Sequence, residues 1–276
     1  MGTSTKYPGP RGGQWKAANQ RLGAWVSSID RSAARSADGN GKVSVSIERL
    51  IQESDERAQE LADQYRAALT AVVGDDPSAF GLRDRLRAGG DRLVDTLDSL
   101  LAGTAGWFSG KEDSAQVREE AFIRGFADQV AGPGGLVADT MVRQAAVACA
   151  RELLDESGPL QEAVTEGKPL LGARISGDLF CLVFQLFFRD SVAKFITAIV
   201  AGKVRLTLAP LHLIDPAGKI ADWVGQQVAA HIPDPCEKGA GLADAPSLAD
   251  LARALVAESV DRALGIPVNA PGSAAA

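Results

Sequence analysis

A chain of 276 residues with 46% hydrophobic and 23% charged side chains has the composition of a folded globular protein, long enough for one large domain or two helical layers. Few aromatic residues and abundant alanine and leucine favour helices over a β-sandwich. The net charge of -6 is uneven: residues 1 to 36 hold six basic residues against one acidic, a balance of +5, which leaves -11 for the rest. These basic residues are scattered, with only Tyr7, Trp15 and Trp25 near them to stack on bases, so nucleic acid is not an expected partner.

Residues 1–13 combine small polar residues, glycines and prolines, a composition that reads as a flexible tail. Trp15, Ala18, Leu22, Trp25 and Val26 then recur at helical spacing over about 14–30, and the turn residues of Arg31 to Lys42 read as a loop. From 46 to 73, Leu50, Ile51, Ala58, Leu61, Tyr65, Leu69 and Val73 mark one face of a long helix whose other face carries alternating charges. Gly74-Asp-Asp-Pro77 ends it. Gly89-Gly90 is expected to separate a short helix near 79–88 from a clearer one carrying Leu93, Val94, Leu97, Leu100 and Leu101.

Gly103 to Gly110 forms a break with Trp107 and Phe108 tucked against a neighbour, and Asp113 or Ser114 caps a helix through Val117, Phe122, Phe126 and Val130. Gly132-Pro-Gly-Gly135 precedes another helix, from Leu136 to Leu154, ended by Gly158-Pro159. A short helix near 160–167 leads to 176–201, which is apolar on every side from Leu179 to Phe188 with only Gln185 interrupting. Such a helix has to be surrounded, which makes it the expected centre of the core. Arg189, Asp190 and Lys194 break the run after ten residues, where a membrane span needs about 20.

Lys203 to Leu208 alternates apolar and polar residues and reads as a short strand or, lacking a partner run, as extended loop. A helix over about 217–231 precedes a Pro- and Gly-rich loop, His231 to Pro246. Ser247 with Asp250 resembles a capping box for a last helix ending at Gly265, and 266–276 reads as a disordered tail. The fold class expected is all-α: a multi-helix bundle in residues 14–265, with a conceivable division near 103–112, between two disordered tails.

Chemistry-bearing residues are scarce in this body. The two histidines, His212 and His231, neighbour no nucleophile motif, and His231 and Cys236 lack further metal ligands nearby, so no metal is expected. Each Gly-Lys pair fails the P-loop pattern, since none is followed by Ser or Thr, and no cofactor motif stands out. Three cysteines, Cys149, Cys181 and Cys236, are too few and too odd in number for a disulfide framework, which fits a reducing cytoplasm, as does the lack of an apolar leader. An enzyme is not expected.

The leading residues are more informative. Met1 before Gly2 is the arrangement from which methionine is removed, leaving the glycine amine as the new terminus. An α-amine with a pKa near 8 is far more nucleophilic at neutral pH than a lysine near 10.4, and glycine adds no side chain to obstruct approach. Fully extended, the tail to Gly13 reaches roughly 40 Å at about 3.3 Å per residue. Myristoylation wants Ser or Thr where Lys6 stands. On residues alone, an unremarkable polar terminus remains an equal reading.

Met1-Gly-Thr-Ser-Thr5, followed by Pro8-Gly-Pro, Gly12-Gly13, an aromatic residue and an otherwise featureless helical body, resembles the B component of the Qat anti-phage defence systems. Those systems combine an ATPase, this B protein, a relative of the deazaguanine-pathway enzyme QueC and a TatD-like nuclease. The resemblance implies that the QueC-like partner activates a carboxy-deazaguanine with ATP and joins it as an amide to the glycine amine, here Gly2, while reading Thr3, Ser4 and Thr5. The chain would then be a protein substrate in the cytoplasm, binding the QueC-like enzyme and, as a further partner, the ATPase. The alternative is a helical scaffold or adaptor with an inert tail.

Overall fold

The computed structural model describes residues 12–37, 43–134, 137–201, 215–239 and 247–267. Among them the chain is all-α, without a strand: α1 (Gly13–Ala37), α2 (Val43–Asp75), α3 (Leu82–Ala102), α4 (Ala115–Ala131), α5 (Val137–Glu156), α6 (Gly158–Thr165), α7 (Gly177–Ala201), α8 (Pro216–Ala229), α9 (Pro235–Gly239) and α10 (Leu248–Ala263). A single 3₁₀ turn, Ala79–Gly81, precedes α3. Lys203 to Leu208, His212 and residues 268–276 lie outside the described residues.

The helices form two compact units, each assembled from separate stretches of chain. One takes residues up to Pro77 together with Ala193–Gln227, the other Ser78–Val192 together with everything from Val228 on. The stretch 103–112, where a division was conceivable, lies inside the second unit.

In the first unit α1 packs along α2. Trp15, Ala18, Leu22, Trp25 and Ile29 are buried at steps of three and four, as are Ala58, Leu61, Ala62, Tyr65 and Leu69 of α2, so both helices turn an apolar stripe inward. The Trp15 ring stands edge-on to Tyr65 with centroids 5.3 Å apart, and the Tyr65 hydroxyl donates to Asn19 Oδ1 at 3.0 Å. From α8, Lys219 pairs with Asp55 and Gln227 donates to Asp63, while Arg66 donates to Gln227 at 3.4 Å. Helix α1 runs to Ala37, seven residues beyond the expected end at 30. Arg31-Ser-Ala-Ala-Arg-Ser-Ala37 contains no Gly or Pro, so nothing stops the helix before Asp38-Gly39.

The second unit overturns one expectation outright. Gly89-Gly90 does not separate two helices; α3 runs through both. A Cβ on Gly89 would lie 2.8 Å from Val142 Cγ1 and 3.0 Å from Phe187 Cζ, and one on Gly90 would lie 2.9 Å from both Phe188 Cζ and Val256 Cγ1. At the glycines α5, α7 and α10 pack directly on the α3 backbone, so close packing rather than a turn explains them. Ser114 is the cap of α4, its Oγ accepting from Val117 N at 3.3 Å, and Ser247 caps α10 by accepting from Asp250 N at 3.1 Å.

Arginines close the opposite helix ends. Arg92 donates to the Val130 and Ala131 carbonyls at 2.8 and 2.7 Å, satisfying the last turn of α4, and Arg118 donates to Thr165 O at the end of α6 and to Glu112 O. Trp107 lies against Phe122 and Phe126, with centroids 5.1 and 6.2 Å away, as its predicted tucking requires. From Leu179 to Phe188 every side chain of α7 is buried except Leu182, 45% exposed, and the half-buried Gln185. The apolar helix is indeed surrounded.

Candidate functional site

Gly2, Thr3, Ser4 and Thr5 lie outside the described residues, which begin at Gly12. What the structure describes is the root from which they lead. The Gly12 carbonyl accepts from Lys16 N at 3.0 Å, and Trp15, 1% exposed, is clamped between α1 and α2. Burial pushes the neighbouring Tyr65 phenol well above its ordinary value of 10.0, so it stays a neutral donor to Asn19 at any physiological pH. The helix that follows the leading segment is therefore fixed by an aromatic pair and a hydrogen bond.

A second cluster lies in the second unit, in the stretch read from sequence as loop from His231 to Pro246. Residues Pro235–Gly239 form α9, and its first turn is set by Asp234, whose Oδ1 accepts from Cys236 N at 2.8 Å. Proline at the first helical position completes the start signal, so Asp234-Pro235 is the feature that the loop reading passed over.

Helix α9 brings Cys236 to Cys181 of α7, with Cα atoms 6.1 Å apart, and the two are disulfide-bonded. This corrects the reading of all three cysteines as reduced. Across a separation of 55 the sequence gave no hint of the pairing, because it depends on a short helix whose docking is tertiary. A carboxylate oxygen of Asp234 and the two sulfurs lie within 4.8 Å of one another. Cys149 remains a thiol, fully buried on α5, and burial raises its pKa well above 9.0, which leaves it without thiolate reactivity.

Beside the disulfide opens a cavity of about 560 Å³, whose lining includes Gln185, His231, Asp234, Lys238, Glu258 and Arg262. Arg262 holds Glu258 through Nε at 2.8 Å and through a terminal nitrogen at 2.7 Å. The lining mixes both signs of charge with apolar patches at Ala230, Ile232 and Pro233, which suits a small ligand carrying charged groups. His231 is exposed on this cavity and is not among the three groups clustered at the sulfurs.

Two further ion pairs tie helices together. Arg83 grips Asp261 with two hydrogen bonds, at 2.8 and 3.0 Å, and Arg253 reaches Asp95 at 2.8 Å, so both join α3 to α10. Among the described residues, no helix is long and apolar enough to cross a membrane. Neither a protein family, nor a curated protein, nor a solved structure matches the chain.

Proposed function

We propose that this chain is a Qat-type B component: a non-enzymatic, cytoplasmic protein substrate of an anti-phage defence system, whose Gly2 amine accepts a deazaguanine acyl group from a QueC-like enzyme. The reading is carried by Met1-Gly-Thr-Ser-Thr5 ahead of Pro8-Gly-Pro and Gly12-Gly13. Support comes from the anchored root. Ten residue steps separate Gly2 from Gly12, a reach of up to about 33 Å, while Trp15 holds the following helix in place. A body that keeps its own start fixed suits presenting a terminus to a partner's active site.

In the reaction the unprotonated Gly2 nitrogen attacks the carbonyl of an adenylated carboxylate, adenylate leaves, and the amine loses a proton to give a secondary amide. Thr3, Ser4 and Thr5 supply hydroxyls and unobstructed backbone for recognition by the enzyme. The ATPase is a further partner of the body.

Intact and fragment mass spectrometry tests this directly, on protein isolated with its native neighbouring genes and on protein made alone. A deazaguanine-acyl mass on Gly2 that depends on the QueC-like neighbour is the expected result. An unmodified Gly2 where that neighbour is active defeats the reading and leaves the helical adaptor.

A further inference from the structure

We propose that the cavity at His231–Lys238 and the Cys181–Cys236 disulfide form one thiol-exchange site, which takes a small zwitterionic thiol and presents Cys236 as the sulfur that accepts it. This goes beyond the conjugation reading and does not depend on it.

Three observations carry it. Neither cysteine lines the cavity itself, but Asp234 does, and it places a carboxylate oxygen within 4.8 Å of both sulfurs. The two sulfurs are unequal: Cys181 is 4% exposed on α7, whereas Cys236 is half-buried on a five-residue helix. Thiol exchange begins with attack on the sulfur that can be reached. Finally, Lys238 and Arg262 face the same space as Asp234 and Glu258, so carboxylate and ammonium groups of one ligand both find opposite charges. A guanidinium keeps donors beyond the two nitrogens that hold Glu258. A volume of about 560 Å³ admits a ligand of tripeptide size.

The segment that would move is the described stretch 230–239. Among the described residues between α8 and α10, Ile232 and Pro235 are buried apolar anchors, α9 rests against α10, and the disulfide supplies a covalent tie. Exchange therefore opens the segment locally while the contacts of α3, α5 and α10 persist.

The incoming thiol loses its proton, and its sulfur attacks Cys236 Sγ. The bond to Cys181 breaks, the Cys181 sulfur takes up a proton, and a mixed disulfide remains on Cys236. A second thiol attacks that mixed disulfide and departs as the small-molecule disulfide, leaving two protein thiols. Two electrons pass from two thiols to one disulfide.

The test uses the full chain with reduced glutathione, quenched by acid at intervals and followed by intact mass and peptide mapping. The expected product carries one glutathionyl group on Cys236 with Cys181 free. Glutathione should react several-fold faster than uncharged 2-mercaptoethanol at equal thiolate concentration, and Arg262→Gln and Lys238→Gln should each erase part of that advantage. Cys181→Ser given oxidised glutathione should hold a stable adduct on Cys236. An adduct on Cys181, a disulfide untouched by excess glutathione in the folded protein, or equal rates for the two thiols would overturn the proposal. So would isolated protein with both thiols free around one equivalent of Zn²⁺, which would make the same three groups a metal centre.

Discussion

Two glycines of the same type, in the middle of two helices, should respond oppositely to the same substitution. Gly23 of α1 is exposed, and a Cβ there meets nothing within 4 Å, so Gly23→Ala should stabilise by up to about 1 kcal/mol through helix propensity alone. Gly89 offers the same gain, but its Cβ would intrude to 2.8 Å of Val142, and overpacking costs about 1–3 kcal/mol. The second effect wins, so Gly89→Ala should lower the urea midpoint where Gly23→Ala raises it. Tyr65 gives a pH signature of defined sign. Its folded-state pKa is raised above the unfolded value of 10.0, so the fold keeps a proton that the unfolded chain releases. Stability is full below pH 10 and falls above it, at up to about 1.4 kcal/mol per pH unit. Buried Cys149 acts with the same sign from about pH 9. Urea titrations between pH 8 and 11 should show a shallower decline for Tyr65→Phe than for the parent, together with a neutral-pH loss of about 1 kcal/mol for the missing bond to Asn19.

At the scale of elements, periodicity and punctuation were enough where local chemistry decides. Ser247 and Ser114 were readable as caps because an N-cap needs only a side-chain oxygen within three residues of an N–H. The misplaced end of α1 was a local misreading, but the errors in the second unit fall where a local signal has a tertiary cause. Gly89-Gly90 has the composition of a break, yet serves contact with Val142, Phe187, Phe188 and Val256, residues far away in sequence. Helix α9 is too short for any period to show, and with it went the Cys181–Cys236 pairing. That crosslink carries its own prediction. Closing a loop across a separation of 55 residues removes unfolded-state entropy worth about 4 kcal/mol in the chain-entropy model, so the oxidised protein should outlast the reduced one by up to that amount in urea. Hydrogen exchange should place the loss first in 230–239, where the disulfide is the covalent anchor.

For the molecule as a whole, the all-α class was legible because apolar stripes at helical spacing recur along most of the chain and admit no other layer. The candidate acceptor rests on other grounds: Gly2, Thr3, Ser4 and Thr5 are proposed from chain chemistry and a family resemblance, and they lie outside the described residues. Conjugation at Gly2 makes a prediction of its own. Gly2→Pro, or a short extension ahead of Met1, should abolish modification while leaving the circular dichroism spectrum and the urea midpoint unchanged within about 0.5 kcal/mol. A larger shift would mean that the leading residues take part in folding, which conjugation at a presented terminus does not require.

The chain passes between its two units three times, at Pro77, Val192 and Gln227, and the second of these passages falls within helix α7. Neither unit is one uninterrupted run of codons. A deletion or duplication that respects one unit necessarily cuts the other, and no single crossover moves either of them intact into another gene. Whatever their separate roles, the two are inherited as one piece, and shuffling of the kind that spreads ordinary domains among proteins is closed to both.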